Sequence, residues 1–108
     1  MIKDWRHQWK QGDVPFIYVQ LPNFGDVQYL PGKSDWTVLR GEQLKTLLVP
    51  KTGMAVAIDL GEWNDIHPDN KKDVGVRLAL SAEKVAYGKK DVVHSGAIYQ
   101  SSKKKAIR

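Results

Sequence analysis

Cysteine is absent from the 108 residues, which excludes disulfides and thiolate chemistry but leaves the compartment open, since many exported proteins also lack it. No apolar run approaches the roughly 18 residues that a membrane-spanning helix requires. The chain is 42% hydrophobic all the same, so its apolar residues are spaced for a folded core and no membrane partner is expected. The opening Met1-Ile2-Lys3-Asp4-Trp5-Arg6 has no apolar signal core, and no export signal is expected in this stretch. Internal repeats are missing, and Gly12, Gly25 and Gly32 are too dispersed to form a phosphate-binding loop. None of Ser34, Ser81, Ser95, Ser101 and Ser102 falls at a strand-to-helix turn of the Gly-Asp-Ser or Gly-x-Ser kind, where an activated nucleophile is presented. Seventeen Lys and Arg against twelve Asp and Glu give a net charge of +5, but much of that excess lies in Lys103-Lys104-Lys105 and Arg108. The body has no basic stripe interleaved with aromatics, so the reading is a solvated tail and no nucleic-acid partner.

The residues that are present alternate between helical and strand patterns. Ile2, Trp5 and Trp9 recur at helical spacing and predict a short amphipathic helix ending near Gly12. Phe16 to Leu21, rich in aromatic and β-branched residues and introduced by Pro15, predicts a strand. Pro22 to Ser34 reads as a loop of about 13 residues, a length at which connections are often functional. A second helix is expected from Trp36 to Leu48, with Leu39, Gln43, Leu44, Leu47 and Leu48 on its buried side and Pro50 just beyond it. The apolar run Met54 to Ile58, closed by Asp59, predicts a strand over 54–59 buried on both faces. Pro68 suits a first helical position, because its missing N–H would be unpaired there anyway, so a third helix is expected over 68–87. Asp69 and Asp73 favour its start through the helix dipole, Val74, Leu78, Ala82 and Val85 form its apolar stripe, and Gly88 closes it. Asp91 to His94 and Ala97 to Gln100 are short candidate strands.

The order helix, strand, helix, strand, helix argues for the α/β class, with parallel strands joined by crossover helices. Two strands buried on both faces need neighbours on both edges, and sheets of this kind usually have about 5 or 6. The expectation is therefore a piece of a larger α/β domain, or a chain that dimerises to complete its sheet. Residues 1–94 are expected to be the partial domain and 95–108 an exit segment with a basic tail. The polar turn Asn64-Asp65-Ile66-His67-Pro68 falls outside the carboxyl end of the second strand, where α/β proteins hold ligands and catalysts. On the residues alone, His67 is either a functional group or a surface or helix-capping histidine.

A family resemblance also runs along the chain. It is carried by Met1-Ile2-Lys3-Asp4-Trp5-Arg6, Trp9, Pro15-Phe16, Val19-Gln20-Leu21, Gly53-Met54-Ala55-Val56 and Ile58-Asp59. It continues through Asp65-Ile66-His67-Pro68, Asn70-Lys71, Arg77-Leu78-Ala79 and Ala86-Tyr87-Gly88. In this order and spacing the chain resembles the later half of bacterial sialate O-acetylesterases, members of the SGNH hydrolase superfamily. The resemblance implies that the chain is the carboxyl-terminal portion of a flavodoxin-like three-layer α/β/α domain. It further implies an esterase that removes O-acetyl groups from sialic acid or other sugars, with no metal or organic cofactor. In that family a serine in an early strand-to-helix turn is the nucleophile, and the histidine before the last helix is its base, a role that carries over onto His67.

The remaining expectations follow from that likeness. A neutral imidazole within hydrogen-bond reach of a serine takes its proton and later returns it to the leaving sugar oxygen. Many SGNH enzymes place the acid three residues before the histidine; Asn64 stands there, and Asp65 lies two before. Asp65, Asp59 and a backbone carbonyl are the alternatives for orienting the ring, and Asp65 has the further option of pairing with N–H groups at the helix start. Trp63 either stacks on a sugar ring or anchors the loop, Trp36 is read as a packing residue, and His7 and His94 as structural. Asp65, His67 and Asp69 lack a zinc-like spacing. Nucleophile and oxyanion donors are not identifiable, so the isolated chain is expected to be inactive and to require the missing amino-terminal part or a second copy as partner. Ser95-Gly96-Ala97-Ile98-Tyr99 resembles the exit from the esterase domain, and the parent is expected to be secreted or periplasmic. The competing expectations are a noncatalytic module that dimerises through its sheet edge, and a sugar-binding domain using Trp63, Trp36 and Tyr29.

Overall fold

A computed structural model describes residues 1–103. The elements form in the expected order: α1 (Ile2–Trp9), β1 (Phe16–Val19), α2 (Asp35–Lys45) running into a 3-10 turn (Thr46–Leu48), β2 (Thr52–Ala55) and α3 (Lys71–Val85). β1 and β2 pair in parallel with Phe16 opposite Thr52 and Val19 opposite Ala55, so the chain is α/β as expected, with α2 in the crossover. The ladder is extended at both ends, by the Phe16 N–H on the Lys51 carbonyl at 3.0 Å and the Gln20 N–H on the Ala55 carbonyl at 2.8 Å.

The core is small and lies between α3 and the sheet. Met54, Ala55 and Ala57 are buried with Ile2, and Ser81 on α3 is fully buried, its hydroxyl 3.4 Å from the Met54 carbonyl. Gly53 lets the helix come close. A Cβ there would stand 3.0 Å from Ile17 Cδ1, 3.2 Å from Val85 Cγ2 and 3.4 Å from Ser81 Cβ. The expected stripe Val74, Leu78, Ala82 and Val85 is half-buried along the same side of α3.

Four expectations are corrected. The second strand is Thr52–Ala55, not 54–59, and Ile58 is largely exposed because the chain turns at once, with the Leu60 N–H on the Ala57 carbonyl at 3.0 Å. α3 starts at Lys71, not Pro68: Asn70 accepts from the Asp73 N–H at 3.1 Å and donates to the Asp73 carboxylate at 2.7 Å, a reciprocal cap that outcompetes the proline position. On α2, Gln43 and Leu47 are half-buried while Leu39, Leu44 and Leu48 are exposed, since a two-stranded sheet offers little apolar surface to cover. The helix is attached mainly through polar contacts. The Tyr18 hydroxyl donates to the Gln43 carbonyl at 2.7 Å, Gln20 donates to the Arg40 carbonyl at 3.0 Å, and the Leu21 N–H donates to the Gln43 side chain at 2.9 Å. The pieces 91–94 and 97–100 form no strands, because neither finds a ladder partner among the described residues. Residues 93–96 instead line a cleft of about 370 Å³ with Met54, Val56 and Arg77. The end of the expected tail, residues 104–108, lies outside the described residues.

α1 is held by the buried Ile2, by Arg6 and by aromatic stacking. Arg6 is almost entirely buried and donates to the Val14 carbonyl at 2.8 and 3.1 Å and to the Pro50 carbonyl at 2.9 Å, with the Lys51 carbonyl further off at 3.4 Å. Its guanidinium lies 5.6 Å from the centre of the Phe16 ring, against which Trp5 and Trp9 stack at 5.6 and 5.9 Å.

Candidate functional site

The segment between β2 and α3 begins with an ion pair and ends with a helix cap. Asp59 meets Arg77 of α3 through two short bonds, 2.6 and 2.7 Å, and Arg77 also donates to the Val56 carbonyl at 2.7 Å. The guanidinium holds the Asp59 carboxyl at about 2, below its ordinary 3.8. Between these anchors, residues 61–69 have no regular structure and carry Trp63, Asp65 and His67.

Asp65 organises the histidine. One carboxylate oxygen accepts the His67 backbone N–H at 2.8 Å, closing a local turn of the kind short acidic side chains favour. The same oxygen lies 3.4 Å from His67 Nδ1, longer than a hydrogen bond but within reach of one by a small ring rotation. Asp65 thus pairs with a backbone N–H within the loop and not at the helix start, where Asn70 is the cap, and it lies beside the ring at the same time. Asp59, the other carboxylate considered, is engaged by Arg77 instead. The His67 side chain is 83% exposed, so the ring is available to a group outside this chain. No described serine is hydrogen-bonded to His67: Ser81 is buried under α3, and the Ser95 hydroxyl is turned to the Gly96 carbonyl. Among the described residues no three His, Asp or Glu side chains gather as a metal site.

A second loop braces the first. The Gly25 N–H, in the connection after β1, donates to the Trp63 carbonyl at 2.8 Å. Gly61 lies against Pro22 and Asn23, where a Cβ would fall 2.5 Å from Asn23 Oδ1 and 2.6 Å from both the Asn23 carbonyl oxygen and Pro22 Cβ. Trp36 supports this connection: its indole N–H donates to the Pro22 carbonyl at 2.7 Å and its ring tilts over Phe24 at 5.5 Å, the packing role read for it in the sequence. Trp63 anchors through its carbonyl while the residue as a whole is 58% exposed. Tyr29 is almost fully exposed. The sequence reading missed Arg77, Gly25 and Gly61 as parts of this site; a glycine following a strand end was the signal for Gly61, whereas nothing local pairs Asp59 with a residue on the next helix.

The α/β unit thus carries an exposed histidine beside a carboxylate on the loop beyond the carboxyl end of β2. No family model matches the chain. It is similar over 94% of its length to a solved carbohydrate acetylesterase from Xanthomonas citri, at 48% identity and a TM-score of 0.82, covering 23% of that structure. It is also 35% identical to the sialate O-acetylesterase of Mus musculus and 32% identical to that of Homo sapiens, in each case over 91% of this chain. These homologues bear out the resemblance read in the sequence. The chain spans about a fifth of their length, 21% and 22% respectively.

Proposed function

We propose that this chain is the base-bearing, carboxyl-terminal portion of the catalytic domain of a carbohydrate O-acetylesterase, a serine hydrolase of the SGNH type. The observation that carries the reading is the Asp65–His67 arrangement on an exposed loop beyond β2, in a chain 48% identical to a carbohydrate acetylesterase. His67 Nε2 takes the proton of a serine supplied by another part of the complete polypeptide, and the alkoxide adds to the acetyl carbonyl. The imidazolium then gives that proton to the sugar oxygen as the C–O bond breaks, leaving acetyl-serine. Water, activated by the same base, releases acetate and restores the serine. Asp65 keeps a proton on Nδ1, directing the lone pair of Nε2 outward. Trp63 offers an apolar face on which the sugar stacks. The exposed leucines of α2 support a partner in the rest of the domain, without which this chain is inactive. An external glycan substrate fits a secreted or periplasmic parent.

The test is His67→Ala in the complete enzyme. Turnover of 4-nitrophenyl acetate and of an O-acetylated sugar should fall by at least about 10³-fold, the scale of a lost general base. A folded variant that keeps most of its turnover would exclude the assignment.

A further inference from the structure

The imidazole of His67 is too exposed to be fixed by packing, so its position is inherited from the loop that carries it. Asp59–Arg77 and the Asn70 cap hold that loop at its ends, but both tie it to α3. Something else must fix it across the sheet, toward β1.

We infer that the β1–α2 connection is the positioning element for His67, acting through two glycine contacts: Gly61 seated on Pro22-Asn23, and the Gly25 N–H bonded to the Trp63 carbonyl. The inference rests on the reading of His67 as base. Among the described residues, the Gly25 bond is the hydrogen bond that joins residues 61–68 to the β1 side. It is made by a residue at φ +99°, a backbone conformation that glycine adopts without strain. Gly61 has the opposite requirement. Its Cβ position is occupied by Asn23 and Pro22: the Asn23 Oδ1 at 2.5 Å can turn away with its side chain, but the Asn23 carbonyl oxygen and the Pro22 ring carbon, both at 2.6 Å, cannot swing aside.

The two glycines therefore fail for different reasons. At Gly25 there is open space around the missing Cβ, so a side chain costs only backbone strain and the bond that depends on that conformation. At Gly61 a single methyl acts as a wedge between the loops. Each change shifts the segment carrying His67 without touching the imidazole, Asp65 or the core between α3 and the sheet. Proton transfer needs the base within about 3 Å of the hydroxyl, and a displacement of about 1 Å can cost on the order of 10²-fold.

The experiment compares Gly61→Ala, Gly25→Val, Gly25→Asn and His67→Ala in the complete esterase, with 4-nitrophenyl acetate as substrate so that sugar contacts do not enter. For Gly61→Ala the expected result is a kcat lower by about 10- to 10²-fold with KM little changed, in a variant whose thermal midpoint drops somewhat but which stays folded at the assay temperature by circular dichroism. Amide exchange at Gly25 should be faster in the same variant. Gly25→Asn should lose less than Gly25→Val, because asparagine is several-fold enriched at positive φ whereas a β-branched residue is an outlier there. Wild-type kcat in a folded Gly61→Ala, or equal losses in the two Gly25 variants, overturns the proposal while leaving the base reading intact if His67→Ala is inactive. Wild-type kcat in His67→Ala overturns the base reading and the catalytic sense of the contact with it.

Discussion

Two aspartates in the loop do different work, and neither role is set by identity or charge. Asp59 is bound by Arg77 through two bonds, whereas Asp65 faces His67, so the same substitution should separate stability from turnover. Asp65→Asn keeps an oxygen for the backbone turn but weakens the ring contact, and should lower kcat in the complete enzyme more than Asp59→Asn does. Asp59→Asn should act on stability with a defined sign. The folded carboxyl titrates at about 2 against an ordinary 3.8, so its contribution is fully present above about pH 4 and is lost as pH falls toward 2. The side chain is 56% exposed, which keeps the effect small. Thermal midpoints measured between about pH 5 and pH 2 should fall more for the wild type than for Asp59→Asn, and parallel curves would refute the linkage. From the sequence Asp65 and His67 were legible as neighbours in one turn. The commitment of Asp59 was not, because its partner lies 18 positions away and is brought close only by folding.

At the level of elements, periodic segments were readable and their ends were not. The α3 stripe needs only four- and three-residue spacing to be seen, and it faces the sheet as its pattern requires. Its start was misread because a proline fits a first turn in isolation, while the Asn70 side chain satisfies the orphan Asp73 N–H and is itself held by the Asp73 carboxylate. Asn70→Ala should therefore destabilise the protein by about 1 kcal/mol, the usual scale for a lost cap, and Pro68→Ala by less. Denaturant midpoints check this; a larger effect at Pro68 would restore the proline as the helix start. The face of α2 was misjudged for another reason. Leucines at helical spacing report what a helix could bury, not whether this chain supplies the surface to bury it against.

For the whole molecule, the shortage of strands was legible from length and pattern, and the pair found leaves unpaired outer edges and exposed apolar side chains on α2. Open parallel edges template association. Expressed alone, the chain should run as oligomer or aggregate in light scattering, or melt without cooperativity. A monodisperse monomer with a sharp thermal transition would contradict that expectation. Adding the rest of the esterase domain in trans should bring the species toward a defined complex, since the exposed leucines would then have a surface to meet.

The anchoring of α1 has a consequence for the order of events during synthesis. The helix emerges ahead of the other elements described, and its Arg6 finds the Val14 carbonyl only 8 positions on, yet the Pro50 and Lys51 carbonyls that it also binds are 44 and 45 positions further on. Until β1, α2 and the turn before β2 have emerged, the guanidinium has its local partner Val14 but lacks the two carbonyls that tie α1 to the crossover. α1 therefore completes its docking only after the crossover closes, and a nascent chain halted before residue 50 would hold Arg6 through Val14 and not through Pro50 or Lys51.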